Sequence, residues 1–205
     1  MGNRTSNILI LLFLLPIFGC SSAQTKKAQA DCAYDKTAML GLSESQFDQD
    51  LSGGWRKIGA IPGCGIAAAD LIRDYRMAHP TSGNNLYWHE GQERAFAGQI
   101  QSAIDLFIKA RAPAEVDAPD WNAYVDATIA FLRHDLPELK RNRELLAVVK
   151  PNSEFGTPKD GFLEIKDAAG RFVKLKWPPN LDVVDGLVKC FDKPYSEAYQ
   201  SSCKN

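Results

Sequence analysis

The most informative stretch of the chain runs from Leu86 to Ala110 and reads LYWHEGQERAFAGQIQSAIDLFIKA. On both sides of Gly98 the apolar residues recur at intervals of three and four, which is typical of amphipathic helices. The glycine interrupts this pattern and therefore favours a break between two helices. Because Gly91 and Ala103 are small, the two helices could approach each other closely as an antiparallel pair.

Helical periodicity also extends on either side of this stretch, from Ser43 to Lys150. Ser43 and Gln46 have the spacing of a capping box, which indicates a helix start just before Phe47. That first helix is expected to continue through Leu51 and Trp55 and to end at Pro62-Gly63, with Gly53-Gly54 weakening its middle. Three more helices are expected on the same grounds, beginning near Ile66, Asp120 and Pro137.

The helix pair has a spacing of small and aromatic residues that resembles a tetratricopeptide repeat. The pattern Gly-x6-Gly-x4-Ala-x3-Phe-x2-Ala is formed by Gly91, Gly98, Ala103, Phe107 and Ala110. The flanking units, 47–80 and 121–150, match it more loosely. The resemblance implies a mainly α fold in which antiparallel helix pairs form a tetratricopeptide-like array. A plain helical bundle with accidental spacing is the alternative.

In tetratricopeptide proteins the first helix of each pair lines a concave groove that holds peptides. Carried over to this chain, that resemblance predicts a groove lined by Asn85, Trp88, Gln92, Asn122 and Asp126. Asn side chains both donate and accept hydrogen bonds, so they suit an extended peptide backbone. Adjacent helical residues cannot face the same way, so Trp88 would face the groove if Tyr87 packs in the core. The alternative is that Trp88 is a core residue.

The C-terminal region changes from helical to alternating periodicity. Residues 162–166 and 172–177 alternate between apolar and polar side chains, and 167–170 has the composition of a turn, so a β-hairpin is predicted. Short helices are expected over 181–191 and 195–202. Because an isolated hairpin is marginally stable in water, this one should pack on the helices.

The N-terminus has the composition of a secretion signal. Arg4 precedes an apolar run over 8–18 that is too short to span a bilayer. The sequence Ile17-Phe18-Gly19-Cys20 resembles a bacterial lipobox, which implies a lipid on Cys20; ordinary cleavage after Ala23 is the alternative. The predicted organisation is a signal peptide over 1–19, a flexible tether over 20–36, a helical-repeat domain over 37–150, and a hairpin with a disulfide-linked helical tail over 151–205.

The chain has five cysteines, an odd number that needs an explanation in an exported protein. Acylation of Cys20 would leave four cysteines in an oxidising compartment. The local pairs Cys32–Cys64 and Cys190–Cys203 are the pairing that we expect. A zinc site is disfavoured because the sequence has no Cys-x-x-Cys and no histidine at ligand spacing.

No set of catalytic or metal-binding residues stands out, and no cofactor is expected. His89 and Glu93 lie one helical turn apart, but the sequence lacks the second histidine of a zinc-protease helix. The aspartates at 48, 50, 70 and 74 are interpreted as parts of polar helix faces. A net charge of −1 argues against a nucleic-acid partner.

These observations together predict a non-catalytic module of the bacterial cell envelope that binds or scaffolds a protein or peptide. Its location would be the periplasm or the periplasmic face of the outer membrane, to which a lipid on Cys20 would attach it. One alternative is an exported enzyme with a site around His89 and Glu93. Another is an inhibitor or immunity protein that acts on a second exported protein.

Overall fold

A computed structural model describes residues 2, 31–113, 116, 119–151, 156–166, 170–200 and 202–203. Apart from Gly2, the predicted signal peptide over 1–19 lies outside the described residues. So do the predicted lipidation site Cys20, the alternative cleavage site after Ala23, and the tether as far as residue 30.

The body of the protein consists of helices that follow one another closely along the chain. These are α3 (Gly65–Ala78), α4 (Asn85–Phe96), α5 (Ile100–Ala110), α6 (Pro119–Leu132) and α7 (Leu136–Ala147). Helix α4 packs against α3 and α5, and α6 packs against α7. The short connections make these neighbours antiparallel. The prediction of a mainly helical protein with packed helix pairs is therefore confirmed.

Local signals in the sequence set the ends of these helices. Gly98 adopts a φ of +77°, a left-handed conformation that glycine tolerates, and the chain leaves α4 there. The Asp135 carboxylate accepts a hydrogen bond from the Glu138 N–H and caps α7, and Pro137 occupies the first turn of that helix. The expected break after α4 and the expected start of α7 are both confirmed.

The contact between α4 and α5 depends on a glycine. A Cβ atom at Gly91 would lie 2.8 Å from Cε1 of Phe107 and 3.3 Å from the carbonyl oxygen of Ala103. Phe107 is fully buried, and its ring lies 4.4 Å from that of Trp88. The small residues therefore allow the close approach that the sequence predicted.

The prediction of one continuous first helix, from Phe47 through Trp55 to Pro62-Gly63, is wrong. The structure has a short helix α1 (Lys36–Leu40), a π-helical turn (Ser45–Gln49) and a short helix α2 (Arg56–Gly59). Gly54 breaks the chain between the last two, because it has a φ of +50° and its missing Cβ would lie 1.9 Å from the Phe47 carbonyl oxygen. Leu51, predicted on the apolar face of this helix, is 51 % exposed.

The predicted capping box is present at the start of the π-helical turn. The Ser43 N–H donates to Oε1 of Gln46 at 3.2 Å, and the Gln46 N–H donates to Oγ of Ser43 at 3.3 Å. Phe47 follows it and is fully buried, with its ring stacked on Tyr75 at 3.8 Å. The cap was therefore predicted correctly, although the helix after it is short.

The C-terminal region has the predicted hairpin and helices. Strand β1 (Phe162–Lys166) pairs antiparallel with β2 (Phe172–Lys176), with Leu163 opposite Leu175. The turn over 167–169 lies outside the described residues. Helix α8 (Leu181–Lys189) packs on α6 and α7, and α9 (Tyr195–Ala198) packs on α4 and α8.

Two disulfides join the cysteines in the expected pairs. Cys32 is bonded to Cys64, and Cys190 is bonded to Cys203. The first links the segment before α1 to the start of α3, and the second joins the end of α8 to the residues after α9. Closing loops of this size stabilises a folded protein by roughly 3 kcal/mol each.

Candidate functional site

Three of the residues predicted to line a groove border one cavity of about 380 Å³. Asn85, Trp88 and Gln92 reach it from α4. We call this space the aromatic cavity, because its remaining aromatic lining consists of Trp55, Trp121, Tyr124 and Tyr199. Its other polar lining residues are Gln49, Arg56, His89 and Asn180. Aromatic surface beside a few polar groups is the usual composition of a ligand site.

Trp88 lines the aromatic cavity and also belongs to the core. It is 4 % exposed, and its ring lies 4.6 Å from Tyr124 and 5.2 Å from Trp121. Tyr87, which was expected in the core if Trp88 faced a groove, is only half-buried, and the guanidinium of Arg76 lies 4.0 Å from its ring. Trp88 is therefore the more deeply buried of the two.

Asn122 and Asp126 lie outside the aromatic cavity, so the five predicted residues do not form one groove. The Asn122 side chain accepts a hydrogen bond from the Ala112 N–H at 2.9 Å and donates to the Ala112 carbonyl at 3.2 Å. Asp126 forms an ion pair with Arg111. Both border a separate cavity beside α7. Their contacts hold the chain before α6 in place.

A buried carboxylate lies beside the polar wall of the aromatic cavity. Asp48 is fully buried, and its Oδ1 accepts hydrogen bonds from Nε1 of Trp55 at 3.0 Å and from Nδ1 of His89 at 2.6 Å. Oδ2 accepts one from Gln49 at 2.5 Å. Burial alone would raise the pKa of Asp48, but the His89 and Trp55 hydrogen bonds and the Arg56 charge outweigh it and lower the pKa. The interpretation of Asp48 as part of a polar helix face is wrong.

The contacts of His89 fix which of its ring nitrogens carries the proton. Its Nε2 lies 3.4 Å from Nη2 of Arg56, which can only donate. Nε2 therefore accepts, and the Nδ1–H donates to Asp48. Arg56 also donates to the Asp48 carbonyl and lies 4.3 Å from the Trp55 ring. An imidazole held by a carboxylate in this way can act as a base when a substrate takes the place of Arg56 at Nε2.

Glu93 does not share the cavity of His89. It lines a second space of about 500 Å³, here called the Glu93 cleft, together with Gly59, Gly65 and Phe96. Glu93 is 8 % exposed, and its burial, partly offset by the positive charge of Arg56, raises its pKa to about 7. The His–Glu pair that the sequence suggested is therefore divided between two sites.

A third buried acid, Glu90, has a structural role. Its Oε1 accepts a hydrogen bond from Nε of Arg94 at 2.8 Å, and its Oε2 accepts one from Nε of Arg76 at 3.1 Å. Arg94 also reaches Asp70 on α3 at 3.0 Å. This network of charges ties α3 to α4.

Within the described ranges, no group of three or more histidine, cysteine or acidic residues is placed to hold a metal ion. No helix in the described part of the chain has both the length and the apolar character that a membrane crossing needs. Comparison with known proteins found no matching family model and no significant match among curated proteins or solved structures.

Proposed function

We propose that this protein is a binding module whose ligand is a protein or peptide and whose binding site is the aromatic cavity. One observation carries the proposal: Asn85, Trp88 and Gln92, chosen from the sequence alone, border the same cavity. Amide side chains that donate and accept stand beside flat aromatic surface there. Such a combination suits a peptide backbone and an adjoining apolar side chain.

We further propose that the helix pairs form a tetratricopeptide-like array. The close contact at Gly91 and the burial of Phe107 support this arrangement. The separate location of Asn122 and Asp126 narrows the proposed binding surface from an extended groove to the α4 side of the molecule.

The proposed location is the bacterial cell envelope, with a lipid on Cys20 as the membrane attachment. Two disulfides fit an oxidising compartment. A Cys20→Ser variant tests the attachment, because the protein should move from the membrane fraction to the soluble periplasmic fraction. Unchanged fractionation would refute lipidation at that residue.

The proposed site can be tested by photo-cross-linking in intact cells. A photoreactive phenylalanine analogue would replace Asn85, which is exposed at the start of α4. The matched control places it at Gln101, an exposed amide on α5 outside the cavity. We expect a specific adduct from position 85 that weakens in a Gln92→Ala background and is absent from position 101. Equal adducts from both positions would contradict the proposal.

The hydrogen bond between Asp48 and His89 favours one second candidate, an exported enzyme with His89 as its base. If the protein is such an enzyme, isolated envelope material that is incubated with it should give a new product, which mass spectrometry would detect. The product should disappear with His89→Gln and remain with His134→Gln, since His134 is exposed and outside the cavity. The absence of any product would remove this candidate.

A further inference from the structure

The Glu93 cleft lies between α2, the start of α3 and the end of α4. Gly59 and Gly65 both lie close to the Glu93 carboxylate: their missing Cβ atoms would lie 3.5 Å and 3.2 Å from Oε2. Ile61 and Phe96 add apolar surface, and the exposed Ala97 lies at the edge. Because the glycines leave this space unfilled by side chains, Glu93 is the one acidic residue among the described residues that line this mostly apolar cleft.

The Glu93 carboxylate has no partner within the described residues. None of their donors hydrogen-bonds to it, and Arg56 acts on it only through its charge. Arg56 instead contacts the Asp48 carbonyl, the Trp55 ring and His89. The start of α3 also lies close to the Glu93 carboxylate. The N-cap residue of that helix, Cys64, makes no side-chain capping hydrogen bond, and Glu93 does not cap the helix either.

An unpaired acid that is more than nine-tenths buried is costly to a fold unless something else compensates it. Glu90 lies about one helical turn earlier on α4, and two arginines compensate its charge. Glu93 is left to face a cleft instead. The group that complements a carboxylate in a mostly apolar cleft is a cation on an apolar stem.

We propose that the Glu93 cleft binds a lysine or arginine side chain of the polypeptide partner. The aliphatic stem would lie along Ile61 and Phe96, and the cationic head would reach the Glu93 carboxylate. This inference rests on the proposed peptide-binding function and adds a preference for a basic residue. Gln92 and Glu93 are consecutive on α4, so the aromatic cavity and the cleft lie on adjacent faces of that helix, and a partner that contacts both must extend around it.

The test uses the full chain, labelled with ¹⁵N and kept in mild detergent, and two acetylated, amidated pentapeptides. One peptide has lysine between pairs of alanines, and the other has norleucine, which keeps an apolar chain but lacks the charge. Amide resonances of Gly59, Gly63 and Gly65 report on the cleft. We expect the lysine peptide to shift them at concentrations at least tenfold lower than the norleucine peptide does.

Two variants and one matched control keep the result specific. Glu93→Gln keeps the size of the side chain and should weaken lysine-peptide binding at least tenfold, and Ala97→Leu should weaken it by narrowing the edge of the cleft. Glu144→Gln removes the same charge from an exposed position and should have no effect. Equal binding by both peptides, unchanged binding by Glu93→Gln, or no glycine shifts at all would overturn the proposal.

A free alkylamine distinguishes the two possible sources of the cation, a side chain of a polypeptide and a small amine. n-Pentylamine should bind more weakly than the lysine peptide, because it lacks the peptide backbone. Equal or tighter binding of the amine would overturn the assignment to a polypeptide side chain. A specific adduct at Asn85 without glycine shifts would remove this inference alone, whereas glycine shifts without any adduct would remove the proposed function of the aromatic cavity.

Discussion

Asp48 and Glu93 are both buried acids close to Arg56, yet their surroundings differ. Asp48 accepts hydrogen bonds from Trp55, His89 and Gln49, and its pKa is lowered. Glu93 accepts none from the described residues, and its pKa is raised to about 7. Hydrogen-bond donors, rather than burial or a nearby cation, therefore separate the acid committed to the fold from the acid left available to a ligand.

The largest expected effect concerns Trp88, which lines the aromatic cavity. Trp88→Ala should lower the free energy of unfolding by about 4 kcal/mol, because it removes a buried ring that packs on Phe107 and Tyr124. Urea unfolding would measure it. A loss below about 1 kcal/mol would mean that Trp88 serves the ligand alone and that the packing described above is wrong.

Removal of the Asp48 charge should lower the free energy of unfolding somewhat less than Trp88→Ala does. Asp48→Asn should lower the free energy of unfolding by about 3 kcal/mol, because the charge that compensates Arg56 is lost and a hydrogen-bond acceptor is replaced by a donor. Asp105→Asn is the matched control, since Asp105 is exposed. If both variants unfold alike in urea, the donors around Asp48 do not stabilise the fold.

Glu93 should make stability fall as the pH rises. Its pKa is raised from 4.5 to about 7, so between these values the folded protein holds a proton that the unfolded chain has released. The free energy of unfolding should decline by about 2–3 kcal/mol across this window and stay level above it. In Glu93→Gln this decline should be absent. Urea unfolding at pH 5 and pH 8 measures the difference, and parallel behaviour of the two proteins would contradict it.

The contribution of Asp48 should have the opposite sign with pH. Because its folded pKa lies below 3.8, its stabilising contribution is complete above that value and is lost as the pH falls through the folded pKa. Between pH 4 and pH 2 the free energy of unfolding should therefore fall more steeply in the wild type than in Asp48→Asn, which lacks this carboxyl group. Equal slopes in the two proteins would contradict the lowered pKa of Asp48.

The smallest effect on stability is expected at the edge of the aromatic cavity. Asn85 is exposed, so Asn85→Ala should change the free energy of unfolding by less than about 0.5 kcal/mol. The same change should reduce recovery of the cross-linked partner when the photoreactive residue is placed at Gln49, an exposed residue that also borders the cavity. Full recovery from a stable Asn85→Ala protein would remove this residue from the proposed site.

Local signals in the sequence predicted much of the fold. The capping box at Ser43, the break at Gly98, Pro137 at the start of α7 and the alternation of the hairpin each depend on a few neighbouring residues. The break at Gly54 was missed because Gly53-Gly54 only weakens a helical pattern, whereas the close approach to the Phe47 carbonyl is visible only in three dimensions.

The candidate site was predicted less completely, because its contacts are distant in sequence. Asp48 resembles any surface aspartate until His89, 41 positions later, is brought to it. Asn122 matched the groove pattern, but the backbone of Ala112 occupies both ends of its amide. In the sequence, Glu93 is a charged residue next to Gln92, which was predicted to line the groove. Helical spacing alone did not predict that Glu93 is buried.

The most direct test of the contrast between these two acids is a ¹³C NMR titration of the Asp48 and Glu93 carboxyl groups in one sample of the full chain. We predict that Glu93 titrates near pH 7 and that its midpoint moves lower when the lysine peptide is added but not when the norleucine peptide is added. Asp48 should titrate below pH 3.8 throughout. Titration of Glu93 near its ordinary value of 4.5, unaffected by the lysine peptide, would contradict the claim that its carboxylate is free for a ligand.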